Sequence, residues 1–111
     1  MQQAKAQLRY LRVTPRKTRL VADLIRGKRV EEALDILTFS RRRVAVNLRK
    51  LLKSAIANAE SSGRVDPDLL RVSHISVDQG PTLKRSMPRA RGSADRLEKK
   101  TSHVTLILEE T

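Results

Sequence analysis

The sequence predicts an α+β fold: three helices packed on a small three-stranded antiparallel sheet, with a long protruding β-hairpin arm. Three observations predict it. A segment of period two opens the chain, three segments of helical period occupy residues 14–63, and two β-branched segments flank a stretch, 80–100, that is almost devoid of core-forming side chains. With 111 residues the chain is read as a single domain, 1–111, of which 80–100 is the extended arm.

From Ala4 to Tyr10, small or apolar residues alternate with Lys5, Gln7 and Arg9, which suits a strand with one wet face; the alternation breaks at Leu11. Thr14-Pro15 then sets a capping hydroxyl before a proline at the first helical position, where its missing N–H costs nothing. Helix one is predicted to run to about Arg26, with Leu20, Val21, Leu24 and Ile25 as its buried stripe and Arg16, Arg19, Asp23 and Arg26 on another face. Gly27 supplies the stop. Val30 to Phe39 reads as a short second helix, its positive N-terminus complemented by Glu31, Glu32 and Asp35. Ser40 offers a cap for a third helix over about Arg41 to Ser62, with Val44, Leu48, Leu51, Leu52, Ala55, Ile56 and Ala59 inward, ended by Gly63. After a polar turn from Arg64 to Asp68, Leu70–Val77 and Thr101–Leu108 read as two further strands. Between them, two strands are predicted to run out as the arm and turn near Arg89 to Gly92.

Leu, Ile, Val and Phe make up 30 of the 111 residues, enough for a core. One Phe, one Tyr and no Trp mean that aliphatic side chains must fill it. The chain carries 24 Lys and Arg against 12 Asp and Glu, a net charge of +12. Self-repulsion of that size makes most sense beside a polyanion, and nucleic acid is the obvious one. With no Cys there is neither a disulfide framework nor a thiolate metal site, and no apolar run is long enough to suggest secretion or a membrane span. The expectation is a soluble intracellular protein that needs no cofactor and no metal, has no membrane partner and forms no homo-oligomer.

The basic residues fall in three clusters. Residues 1–29 hold nine, among them Arg9, Arg12, Arg16, Lys17, Arg19, Arg26, Lys28 and Arg29, against Asp23 alone. Residues 41–53 hold six and no acid, including Arg41, Arg42, Arg43, Arg49 and Lys53. The arm holds Lys84, Arg85, Arg89, Arg91, Arg96, Lys99 and Lys100 against Asp95 and Glu98. A single run of charge is most often a solvated face, but three clusters with so little acid nearby point to phosphate contacts, and arginine grips phosphate in two-pronged geometry. The near absence of aromatics argues against single-strand readers that stack bases on Phe, Tyr or Trp, leaving folded, backbone-rich RNA or duplex DNA.

Two other classes compete. Helices one and two, joined at Gly27–Arg29, suggest a DNA-binding helix-turn-helix, but an acidic second helix is a poor reader of a groove. An RNA-processing enzyme would have to be built on His74 and His103, which fall in strand-like segments and could face each other across paired strands. Neither has a carboxylate or Cys at a metal-ligand spacing, and no nucleophile context accompanies them, so a histidine that hydrogen-bonds or meets phosphate is the better reading of His103.

Three long motifs then carry a family resemblance: Arg12-Val13-Thr14-Pro15-Arg16-Lys17-Thr18-Arg19-Leu20-Val21-Ala22-Asp23-Leu24-Ile25-Arg26-Gly27-Lys28, Lys53-Ser54-Ala55-Ile56-Ala57-Asn58-Ala59-Glu60, and Gly80-Pro81-Thr82-Leu83-Lys84-Arg85 through Met87-Pro88-Arg89-Ala90-Arg91-Gly92 to Thr101-Ser102-His103-Val104-Thr105. In this order, and over nearly the whole chain, they resemble large ribosomal subunit protein twenty-two of the bacterial type. The resemblance implies a structural constituent of the large ribosomal subunit that binds ribosomal RNA, supports subunit assembly and sits near the polypeptide exit. It further implies an arm that lines the exit tunnel near the macrolide-binding region, with Leu83, Lys84, Arg85, Met87, Pro88, Arg89, Ala90, Arg91 and Gly92 as the tunnel-facing end. The implied partners are large-subunit ribosomal RNA, neighbouring ribosomal proteins and the nascent polypeptide. Ser93, where relatives often carry a basic residue, and Glu98, where they carry an uncharged or basic one, depart from the pattern and thin the positive charge of the return strand.

Overall fold

The computed structural model describes residues 3–63, 66–81, 83–88 and 94–110, and for Pro67, 83–88 and 94–99 the backbone alone. In chain order the elements are β1 (Gln3–Leu11), α1 (Pro15–Ile25), α2 (Val30–Phe39), α3 (Val44–Ser62), a 3₁₀ turn (Pro67–Leu69), β2 (Leu70–Gln79), β3 (Leu83–Pro88), β4 (Ala94–Lys99) and β5 (Ser102–Glu110). The α+β class holds: three helices lie on a three-stranded antiparallel sheet of order β1-β5-β2.

The C-terminal strand is central because it alternates most cleanly. Val104, Leu106 and Leu108 are buried while Thr105 and Ile107 are half-exposed, so β5 offers one apolar face and two hydrogen-bonding edges. Beside it Ala4 and Ala6 of β1 and Leu70, Val72, Ile75 and Val77 of β2 face the same way. Onto this face pack Val21, Ala22 and Ile25 of α1, Ala33 and Leu37 of α2, and Leu48, Leu52, Ala55 and Ala59 of α3. The alanines let helix axes approach the sheet closely. As composition requires, the core is aliphatic: Tyr10 and Phe39 stand 64% and 82% exposed.

Helix α1 begins as the sequence predicts, with the Thr14 hydroxyl accepting the Lys17 N–H at 3.4 Å and Pro15 in the first turn. Its buried stripe differs from the expectation. Pro15, Thr18, Val21, Ala22 and Ile25 face inward, whereas Leu20 and Leu24 are each 49% exposed. At about 100° per residue the stripe centres on Thr18 and Ala22, which sets Leu20 and Leu24 on the opposite flank. Thr18 tolerates burial because its hydroxyl donates to the Thr14 carbonyl at 3.0 Å. Gly27, at φ +79°, ends the helix in the left-handed region.

Helix α3 starts at Val44 rather than Arg41, and Ser40 does not cap it. Arg43 occupies the cap in helical geometry with no side-chain bond, while the Ser40 hydroxyl accepts the Arg42 N–H at 3.4 Å and closes a local turn. At the other end Gly63, at φ +66°, donates its N–H to the Glu60 carbonyl. Strand β1 does not break at Leu11, which is buried and pairs with Ser102. The irregularity lies one step earlier, where the register shifts between Leu8 and Leu11 and Tyr10 takes φ +57°. An extra residue on the β1 side makes this a bulge.

Strands β3 and β4 pair antiparallel from Leu83↔Lys99 to Pro88↔Ala94. The turn predicted near Arg89 to Gly92, and with it the reach of the arm, lies outside the described residues. So do Arg64 and Val65 of the predicted polar turn.

Candidate nucleic-acid interface

The first basic cluster is divided by the fold. Arg9 and Arg12 are exposed at the end of β1 and in the link to α1, and Arg16 and Lys17 are exposed on the first turn of the helix. No acidic residue stands in that turn, so these cations add to the positive end of the helix dipole. Arg19 and Arg26 turn the other way. Arg19 donates from Nε and Nη2 to the Val77 carbonyl at 3.2 and 2.9 Å, and Arg26 donates from Nη2 to the Ile75 carbonyl at 2.8 Å while Nη1 pairs with Asp23.

Both carbonyls lie on the outer edge of β2. The same edge is met at Val72, which accepts from Gly27 N–H at 2.9 Å and donates to the Lys28 carbonyl at 2.8 Å, with Arg29 bridging to Arg71 beside it. The predicted arginine face thus serves in part to close a sheet edge that would otherwise offer itself to another chain.

The second cluster divides too. Arg41, Arg42 and Arg43 are exposed on the segment before α3, Lys50 and Lys53 are exposed on the helix, and Arg49 is half-buried. Of the arm's cations, Lys84, Arg85, Arg96 and Lys99 are placed by backbone alone, as are Leu83, Met87 and Pro88. Arg89, Ala90, Arg91 and Gly92 fall outside the described residues. Lys100 is exposed at the root of β5.

His74 and His103 are not brought together. His74 stands opposite Ile107 and His103 opposite Asp78, four residues apart along β5, about 13 Å. A bulge between Val72 and His74, where the Ser73 hydroxyl donates to the Ile107 carbonyl at 3.1 Å, sets that register. His103 belongs to a different group. Its Nδ1 accepts the Tyr10 N–H at 3.1 Å, and the two rings meet edge to face, centroids 5.0 Å apart.

Around this pair the links from β2 to β3 and from β4 to β5 are tied together. Gly80 donates its N–H to the Thr101 carbonyl at 2.9 Å, the Thr101 hydroxyl donates to the Pro81 carbonyl at 2.7 Å, and the Ser102 hydroxyl donates to the Val13 carbonyl at 2.6 Å. Sequence reasoning missed Tyr10, since its position in the alternation implies an inward side chain.

Among the described residues the ion pairs are Arg26–Asp23 and Lys28–Glu32. The remaining described cations of both clusters have no carboxylate partner among the described residues. No described group of three or more His, Asp or Glu stands together as a metal site would require, and no described helix is long and apolar enough to cross a membrane.

The sequence profile of the family described as Ribosomal protein L22p/L17e matches residues 6–109. The chain is similar to the large ribosomal subunit protein uL22 of Syntrophotalea carbinolica, with 57% identity over 108 residues that cover 97% of this chain and 98% of that protein. The match therefore takes in the helices, the sheet, both basic clusters and strands β3 and β4 together, and the chain belongs to the ribosomal protein L22p/L17e family.

Proposed function

We propose that this chain, a structural protein of the large ribosomal subunit by family, binds ribosomal RNA through its helix-one and helix-three cations and lines the polypeptide exit tunnel with its arm. The carrying observation is the unpaired charge: exposed Arg9, Arg12, Arg16, Lys17, Arg41, Arg42 and Arg43 have no carboxylate partner among the described residues. A folded protein with a net charge of +12 leaves such groups unpaired where phosphate will pair them. Docking by the body would fix the root of β3 and β4, and residues 83–92 would then present the arm to the nascent polypeptide. Neighbouring ribosomal proteins would complete its surroundings, without a homo-oligomer. No catalytic step is part of this function.

The test compares binding of the purified chain to large-subunit ribosomal RNA and to random duplex DNA at physiological salt. Clear preference for the ribosomal RNA is the expected result, and equal affinity would reduce the chain to a general polyanion binder. For the arm, a photo-crosslinker substituted at Met87 should label nascent polypeptide in translating ribosomes that carry this chain. Labelling of ribosomal RNA alone would remove the tunnel assignment.

A further inference from the structure

By the alternation of β1, Tyr10 belongs with Ala4, Ala6 and Leu8 on the face that packs under the helices. The bulge at Arg9–Tyr10 takes it out of that row: Leu11 fills the inward place opposite Ser102, and Tyr10 swings to the open face of the sheet against His103. Bulges re-aim side chains in this way, and they are common beside functional sites. This one comes with backbone strain, since a non-glycine residue at φ +57° is disfavoured and persists only where its surroundings impose it. Burial does not offset that strain, because the residue is 64% exposed.

What holds Tyr10 is His103, which accepts its N–H and presents a ring at 87° to the phenol. His103 is itself wedged: a Cβ on Gly80 would lie 3.1 and 3.2 Å from its Cε1 and Nε2. The single tyrosine of the chain is thus an exposed aromatic ring with a fixed backbone and a supported edge. Exposed Arg9 and Arg12 flank it. A rigid, solvent-facing aromatic between cations is the arrangement that stacks one nucleobase while the flanking charges hold its phosphates.

We propose that Tyr10 is the stacking platform for one unpaired base of RNA, a proposal that rests on the ribosomal-RNA reading above. Hydrophobic burial against a neighbouring protein is the competing occupant. The surrounding unpaired cations favour RNA, because an apolar protein surface would leave Arg9 and Arg12 desolvated without a counter-charge.

One tyrosine and no tryptophan make intrinsic fluorescence a direct report on this ring. The full chain is titrated with large-subunit ribosomal RNA, and separately with single-stranded oligoadenylate and with duplex RNA of equal phosphate count. Tyrosine emission is expected to fall on binding ribosomal RNA or oligoadenylate and to change little with the duplex. Tyr10→Leu should weaken ribosomal-RNA binding roughly 5- to 150-fold, the range of one lost stack, while Tyr10→Phe binds like the parent. Because stacking releases no counterions, the Tyr10→Leu loss should be the same at every salt concentration. A flattened salt slope would instead signal a misfolded variant, and Tyr10→Phe together with the parent's emission then decides the matter. Unchanged emission on binding ribosomal RNA, or quenching that appears only when other large-subunit proteins are added, overturns the proposal. If the parent chain fails to prefer ribosomal RNA at all, it is the ribosomal-RNA reading that has failed.

Discussion

The Arg19 guanidinium reaches across from α1 and donates two hydrogen bonds to the Val77 carbonyl on the outer edge of β2. About two turns of helix further on, Arg26 donates one hydrogen bond to the Ile75 carbonyl, and the turn after α1 pairs with Val72. Val77 and Ile75 are alternate residues, matching the period with which a strand presents its backbone groups to one side, and the bulge between Val72 and His74 adds one residue before Val72. Two cations that composition assigns to RNA therefore also hold helix to sheet.

Arg19→Ala is accordingly expected to lower stability by about 1.5–3 kcal/mol, the usual range for a lost charged hydrogen bond to a partly buried acceptor. Arg16→Ala, an exposed change with no described partner, should stay within about 0.5 kcal/mol of the parent. Urea unfolding of both variants checks this. Equal stabilities would mean that water replaces the guanidinium at Val77 without loss.

The corrected stripe of α1 makes a second prediction. Leu20→Ala and Leu24→Ala remove half-exposed side chains and should each cost under about 1 kcal/mol. Ile25→Ala empties a fully buried site and should cost about 2–5 kcal/mol. Thermal unfolding separates the two cases, and a large loss at Leu20 would return it to the core.

Much of this fold is legible in the sequence because the decisive signals are local. Thr14-Pro15, Gly27 and Gly63 mark helix ends through backbone chemistry that needs no tertiary partner, and the bounds Val30 and Phe39 of α2 follow from acidic residues at one end and apolar spacing along its length. The stripe of α1 is misjudged because Leu20 and Leu24 are more apolar than Thr18 and Ala22, and only the sheet beneath shows which side is crowded. Ser40 looks like a cap, yet its hydroxyl serves the Arg42 N–H instead. Similarly, the division of labour between Arg16 and Arg19 depends on where the β2 edge lies, and the outward turn of Tyr10 depends on a bulge that no residue pattern announces.

A third prediction follows from that division. Charge reversal at Arg16 and Lys17 should weaken ribosomal-RNA binding and lower the salt slope by about two, because two phosphate contacts are lost while the fold stays intact. Reversal at Arg19 should cost stability and leave the slope of the folded fraction nearly unchanged. Binding measured between about 50 and 200 mM salt distinguishes them. A slope reduced equally by both would place Arg19 on phosphate despite its bond to Val77.

The last prediction concerns the link from β2 to β3 where it meets the link from β4 to β5. A methyl group on Gly80 would lie 2.5 Å from the Thr101 hydroxyl oxygen, well inside contact distance. That oxygen is not free to swing aside, because Thr101 is buried and donates to the Pro81 carbonyl at 2.7 Å. Behind it stands the His103 ring, which supports Tyr10. Gly80→Ala should therefore destabilise the protein by about 1–3 kcal/mol through overpacking. Thr101→Ala removes the offending oxygen at the cost of one hydrogen bond, so the double variant should be more stable than the sum of the two single losses predicts. Rescue is expected to be partial, since the new methyl still meets the His103 ring at about 3.1 Å. Denaturant unfolding of the four proteins in this cycle measures the coupling directly. Strictly additive losses would show that the strand ends relax apart at Gly80, and that Thr101, His103 and Tyr10 are not one packed unit.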